Sequence, residues 1–226
     1  MDSRTSVRIN KALSAIAVLS LLLIQGCTCG PDTAAAEQHY EAGEDLYEQG
    51  LYNESIAEFN MSIHFDPQYA KAYYARGGAY CFLHKYELSI KDEDEAIRLD
   101  PQYADAYYGR AISYYHLGDY DSSLKDYNEA IRLDPELARA YYGRCCIYYD
   151  REDYEGAVEE CNESIRLEPD FAKSYALRAL IYTYLYMDAE AQQDIDMAVS
   201  LGYDATMLDY AIVGVKAERN APDDGW

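Results

Sequence analysis

Basic residues are scarce in this chain. Nineteen Lys and Arg stand against 41 Asp and Glu, a formal net charge of −22 over 226 residues. That balance excludes a nucleic-acid binder, which needs a basic footprint to meet phosphates. It also excludes electrostatic attachment to an anionic lipid surface. Tryptophan occurs once and phenylalanine four times. A membrane-spanning helix needs about 20 apolar residues, and the uncharged run ALSAIAVLSLLLI at 12–24 has 13. The four histidines, His39, His64, His84 and His116, share no metal-ligand spacing. No EF-hand loop, no Gly-rich phosphate loop after a strand and no strand alternation can be found. Without a catalytic constellation, the chain reads as a non-enzyme that needs no cofactor and no metal.

Tyrosine and acid fill the space. There are 26 Tyr, and half of the residues are apolar, enough for a packed core. At the N-terminus, Arg4, Arg8 and Lys11 precede the apolar run, which is the basic-then-apolar order of a secretory signal. The run ends in Ile24-Gln25-Gly26-Cys27. This tetrapeptide resembles the lipobox of bacterial lipoproteins, with Gln at the second place as a departure. The resemblance implies a signal peptide over 1–26, lipidation at Cys27 and a short tether over 27–35. Cys29 is the poorer candidate, since Thr28 precedes it. Thr28 also stands where Asp would favour the inner membrane, so the resemblance implies the outer membrane, facing the periplasm, in an organism with two membranes.

Prolines recur at 67, 101, 135 and 169, each interval being 34 residues. Around them, spaced residue types recur too. In residues 104–137, unit positions 4, 8, 11, 20, 24, 27 and 32 are Tyr107, Ala111, Tyr114, Ser123, Tyr127, Ala130 and Pro135. This pattern resembles the tetratricopeptide repeat, a helix–turn–helix unit. The resemblance implies an all-α solenoid of five units over 36–203 (36–69, 70–103, 104–137, 138–171 and 172–203), a capping helix over 204–218 and a disordered tail over 219–226. Small residues at 8 and 20 let paired helices approach closely. Pro at 32 stops the second helix, and Gly50 and Gly118 sit where the first helix must end. Each unit has an apolar face that only stacking can bury. Glu93 and Cys161 depart from the aromatic at 24, so looser packing is expected there.

Helical periodicity puts unit positions 4, 8 and 11 on one stripe and 5, 9 and 12 on the next. The family pattern buries the first stripe and turns the second to a concave groove where partners dock. One tyrosine of each adjacent pair is thus expected to hold the fold, its neighbour to face the groove. The expected partner-binding groove comprises Tyr40, Tyr47, Tyr74, Tyr108, Tyr115, Tyr142, Tyr149 and Tyr184. A tyrosine-rich surface suits recognition, because it offers large area at low rotamer entropy. Arginine recurs at unit position 7 and a carboxylate at 23, which predicts four structural ion pairs: Arg76–Asp92, Arg110–Asp126, Arg144–Glu160 and Arg178–Asp194. The competing use of these arginines is a ladder for phosphate or carboxylate ligands. Glu58 is expected to lack such a partner, since Ala42 takes the arginine's place. Cys145 and Cys161 either face each other across a hairpin or serve as small packing residues.

Together these readings describe a lipid-anchored scaffold of a bacterial envelope that binds protein segments. The membrane is met only through the lipid, and the partner is an unidentified protein or peptide. The alternative is a glycan-binding module that stacks tyrosine on sugar.

Overall fold

The computed structural model describes residues 30–219. Cys27, the lipobox and the chain end from 220 lie outside the described residues. Eleven helices and no strand occur among the described residues: α1 (Thr33–Glu48), α2 (Tyr52–Phe65), α3 (Ala70–Phe82), α4 (Tyr86–Leu99), α5 (Ala104–His116), α6 (Tyr120–Leu133), α7 (Ala138–Asp150), α8 (Tyr154–Leu167), α9 (Ala172–Tyr184), α10 (Asp188–Ser200) and α11 (Ala205–Arg219). Each odd-numbered helix from α1 to α9 packs most heavily on the even-numbered helix that follows it, and successive hairpins stack in chain order. The architecture is an all-α solenoid of five hairpins closed by α11. The first helix opens at Thr33, ahead of the unit boundary at 36, because Asp32 caps it. The Asp32 carboxylate accepts the Ala35 N–H at 3.1 Å.

The chain breaks at the same two places in every hairpin. Between the helices, unit position 15 is left-handed five times: Gly50, His84, Gly118, Glu152 and Tyr186. Only two of these are glycine, so packing imposes the turn on three residues that do not favour it. Between hairpins, the residue before proline is held extended, with Asp66 at φ −137° and ψ 95°, as the proline ring demands. Its side chain then accepts the Gln68 N–H at 3.0 Å. Asp100 and Asp134 repeat the device with Gln102 and Glu136.

Small residues carry the core. Ala72, Ala79, Ala96, Ala106, Ala111, Ala130 and Ala140 are all fully buried, as are Ser55, Ser89 and Ser123. Within each hairpin, unit positions 8 and 24 meet. In the first, the Phe59 ring lies on Gly43, and in the third Tyr127 packs with Ala111. In the fourth, Cys145 and Cys161 form a disulfide, with 5.7 Å between their Cα atoms. The looser packing expected at Cys161 is therefore corrected, because a covalent bond takes the place of the missing ring and both cysteines are fully buried. In the second hairpin the slot holds Gly77 and Glu93. The array ends where α11 lays Leu208, Ile212 and Val215, all buried, toward the last hairpin, and Leu208 and Ile212 join the Tyr175–Ala198 core.

Candidate functional site

The four arginines at unit position 7 sit in one repeated geometry. Arg110 donates from Nε and Nη2 to the two carboxylate oxygens of Asp126, at 2.6 and 2.7 Å. Arg76 does the same with Asp92 at 2.8 and 2.6 Å, and Arg178 with Asp194 at 2.7 Å for both bonds. Arg144 forks onto Glu160. Each guanidinium also covers the face of the tyrosine three residues before it: Tyr73, Tyr107, Tyr141 and Tyr175.

A third bond was not foreseen. Each arginine reaches from Nη1 into the preceding hairpin, to Asn60, Asp94, Asn128 or Asn162, at 2.5 to 2.7 Å. The ladder thus staples neighbouring repeats as well as closing each one. With Nε, Nη1 and Nη2 all engaged, these arginines have little left for an external phosphate or carboxylate. Glu58 has no arginine, and a histidine meets it instead. His39, standing where later units have tyrosine, brings Nδ1 within 2.6 Å of its Oε2.

The tyrosine pairs divide their work differently from the expected pattern. The first of each pair is half-buried, not sealed, and its hydroxyl donates to the carbonyl of the preceding proline. These bonds are Tyr73 to Pro67 at 3.4 Å, Tyr107 to Pro101 at 3.5 Å and Tyr141 to Pro135 at 3.3 Å. The second is packed as well. Tyr40 meets Tyr69 at 5.3 Å, Tyr74 meets Tyr103 at 5.1 Å and Tyr142 meets Phe171 at 5.2 Å between ring centroids. Tyr108 lies 6.0 Å from Tyr127. Burial pushes the Tyr108 phenol up to about 12, and those of Tyr74 and Tyr142 higher still. The physical reason is the residue that opens the next hairpin, Tyr69, Tyr103, Leu137 or Phe171, which folds back over this stripe.

A cavity of about 630 Å³ is lined by residues of all five hairpins. Four of the eight tyrosines named for the groove line it: Tyr47, Tyr74, Tyr108 and Tyr142. The other four are engaged elsewhere in the fold. Tyr40 sits against Phe59 and Tyr69. Tyr115 donates to Asp150 at 2.7 Å. Tyr149 lies between Tyr154 and Tyr184, and Tyr184 donates to Glu218 of α11 at 2.6 Å. Phe82, Tyr86, His116 and Phe171 are among the other wall residues, with Arg139 and Lys173 as the cations.

A second ladder runs along the hairpin tips. Tyr52 stacks on Phe82 at 4.9 Å, Tyr86 on His116 at 4.8 Å and Tyr154 on Tyr184 at 4.8 Å. In the third hairpin the Tyr120 hydroxyl donates to Asp150 at 3.3 Å instead. The recurrence of Tyr at unit position 17 was the available signal for this ladder.

Glu93 forms part of the cavity wall and is fully buried, with neither carboxylate oxygen hydrogen-bonded. A methyl group built on Gly77 or Gly109 would stand 2.6 Å from its Oε1, so two helix backbones close directly on the carboxyl. Desolvation raises its pKa well above the ordinary glutamate value. Cys81 and Cys146 are free thiols. Burial pushes Cys146 up to about 12, which leaves it a poor nucleophile. Among the described residues no cluster of His, Cys, Asp and Glu could hold a metal ion. No described helix is long and apolar enough to cross a membrane.

Stacked helical hairpins define the class of α-solenoids. Tetratricopeptide-repeat models match residues 104–137 and 138–171, and a TPR-repeat model matches 43–82. The chain is a tetratricopeptide-repeat protein, and that fold is suited to scaffolding protein–protein interaction. Its fold is similar to that of pilF from Pseudomonas aeruginosa, with TM-score 0.71 and 16% identity over 82% of this chain and 89% of that one. TTC0263, a thermophilic TPR protein of Thermus thermophilus, matches with TM-score 0.69 and 18% identity over 80% and 98%. YrrB, a TPR protein with an unusual peptide-binding site, matches with TM-score 0.57 and 17% identity over 76% and 89%. Among curated proteins no sequence match is found.

Proposed function

We propose that this protein is a lipid-anchored scaffold of a bacterial envelope that binds a segment of a partner protein in its tyrosine-lined cavity. The observation that carries the reading is the cavity itself. It runs across several repeats and is walled by aromatic rings with a few polar groups, the make-up of a ligand-binding cleft. Tyrosine offers such a ligand a large apolar face and a hydroxyl at small entropic cost. The peptide-binding site of YrrB, on a similar solenoid, supports the same use of the fold. Anchoring rests on the IQGC sequence and the basic–apolar order before it.

The test is affinity capture from envelope extracts with the chain purified and immobilised. Lys173→Glu is the informative variant, because Lys173 is exposed and lines the cavity, so its replacement disturbs no packing. Tyr142→Ala, checked for folding by thermal unfolding, is the second. A partner bound by the parent chain and lost by both variants supports the reading. A partner indifferent to both refutes it, as does retention on purified polysaccharide with no protein captured.

A further inference from the structure

The arginine ladder shows what this protein does with a buried carboxylate. At Asp92, Asp126, Glu160 and Asp194, the two oxygens are met by the fork of an arginine whose face rests on a tyrosine. Glu93 is a fifth carboxylate on the same scaffold, fully buried, and it has no such fork. It has the tyrosines: Tyr74 and Tyr108 line the same cavity. A buried polar group without a partner is costly, and two free oxygens side by side match a planar guanidinium better than a point-like ammonium.

We propose that the cavity is an arginine-reading site, in which the side chain of an arginine on the bound partner segment places its guanidinium on the Glu93 carboxylate beside Tyr74 and Tyr108. This rests on the segment-binding reading above and names what the segment must carry.

The surroundings favour a cation. The charged groups near the carboxyl are Asp92 and Asp94 on its own helix, with Asp105 and Arg110 on α5. Arg110 is already held by Asp126 and Asp94, and Asp92 is held by Arg76, so no nearby base is left to meet the Glu93 carboxylate. Tyr47 from α1, Tyr74 and Cys81 from α3, and Tyr103 before α5 also face Glu93. None of these is an anion at neutral pH that the ligand would have to displace. Of the two cations on the cavity wall, Arg139 lies beside Asp105, and Lys173 stands on α9, beyond the third and fourth hairpins. The total charge of −22 draws a basic segment toward the array.

The space for the side chain comes from the same residue. Where hairpins one and three hold Phe59 and Tyr127 at unit position 24, hairpin two holds a glutamate, smaller than either ring, with Gly77 and Gly109 against it. The cavity wall includes Glu93, Gly78 and Gly109.

The experiment uses the full chain and N-acetyl-arginine amide as the probe, with the citrulline and lysine analogues as controls, read by calorimetry at pH 6 and pH 8. The arginine probe is expected to bind at least tenfold more tightly than citrulline, which has the same shape without the charge. Binding is expected to strengthen as pH rises toward the raised pKa of Glu93 and to release a proton to the buffer, because Glu93 must ionise to meet the cation. Glu93→Gln should cost at least tenfold and abolish the proton release. Glu93→Tyr, which restores the ring of the third hairpin, should block the cavity while thermal unfolding shows the array intact. Equal binding of citrulline and arginine, or unchanged binding by Glu93→Gln, overturns the inference. The segment-binding reading fails separately. If a captured partner is lost by Lys173→Glu but not by Glu93→Gln, the cavity binds segments without reading arginine. If the arginine probe binds through Glu93 while capture ignores the cavity variants, the arginine site stands and segment binding is wrong.

Discussion

Replacing Arg110 by Met separates two carboxylates that the structure places in unlike surroundings. Asp126 is 3% exposed and accepts two bonds from the guanidinium. Asp94 accepts one, and its side chain is 54% exposed. Without Arg110, Asp126 becomes a buried charge with no counter-charge, a situation that costs about 3–5 kcal/mol. Asp94 merely turns to water, where an ion pair of this kind is worth about 0–1 kcal/mol. Two double-mutant cycles measure the difference. The Arg110→Met/Asp126→Asn pair should show coupling of about 3 kcal/mol, since the second change removes the stranded charge. The Arg110→Met/Asp94→Asn pair should stay below about 1 kcal/mol. Urea unfolding followed by circular dichroism is the assay, fitted with nearest-neighbour terms because stacked repeats need not unfold all at once. Raising NaCl to 1 M contracts the Debye length to about 3 Å. It should erase the Asp94 coupling and leave most of the Asp126 coupling. Equal couplings, or loss of both in salt, would refute the distinction between the sealed fork and the exposed staple.

Three further outcomes are expected. The folded-state pKa of Glu93 is raised by desolvation, so its neutral form stabilises the array fully below the ordinary glutamate value. That stability is lost as pH rises through the folded pKa, with a limiting slope of about 1.4 kcal/mol per pH unit. Urea midpoints of the parent chain should fall over that range relative to Glu93→Gln, and parallel profiles would dismiss the burial argument. Reduction of Cys145–Cys161, 16 residues apart, removes a loop closure worth about 3 kcal/mol, so the melting temperature in the presence of a phosphine reductant should drop by roughly 6–12 °C. A melting curve indifferent to reductant would remove the bond from the stability of the fourth hairpin. Cys27→Ala should abolish metabolic lipid labelling and release the chain from membranes, and persistent labelling would move the anchor elsewhere.

The helical hairpin was legible because its rules are local. Proline spacing, small residues at 8 and 20 and the left-handed turn all act within 34 residues, and so does the reach of Arg110 across to Asp126. What could not be read depends on the angle between one hairpin and the next. The bond from Arg110 to Asp94, the stack of Tyr86 on His116 and the folding of Tyr103 over Tyr74 are all cross-repeat contacts. A period states which residues recur, not how far each repeat is rotated against the last. The same limit explains the tyrosine pairs. Stripe geometry placed Tyr107 inside and Tyr108 outside, but the residue that opens the following hairpin covers Tyr108's stripe, and Arg110 rather than a helix covers Tyr107.

The contact between unit positions 8 and 24 shows how a fixed frame admits variable chemistry. Gly43 takes a phenyl ring, Ala111 a phenol and Cys145 a sulfur, and Ala179 shares its core with Ile195. Each fills one slot between the helices of a hairpin. Only Gly77 meets a group that is both charged in water and unpartnered here. From the sequence, Glu93 and Cys161 were equal departures from one pattern. The structure parts them, since one departure is compensated inside the fold by a bond and the other is not compensated inside the fold at all. A packing defect that destabilises the array without use would be open to replacement by any ring of the consensus size. The carboxyl instead stands in the wall of the cavity, with Gly77 and Gly109 against it, where the arginine proposed above supplies the compensation.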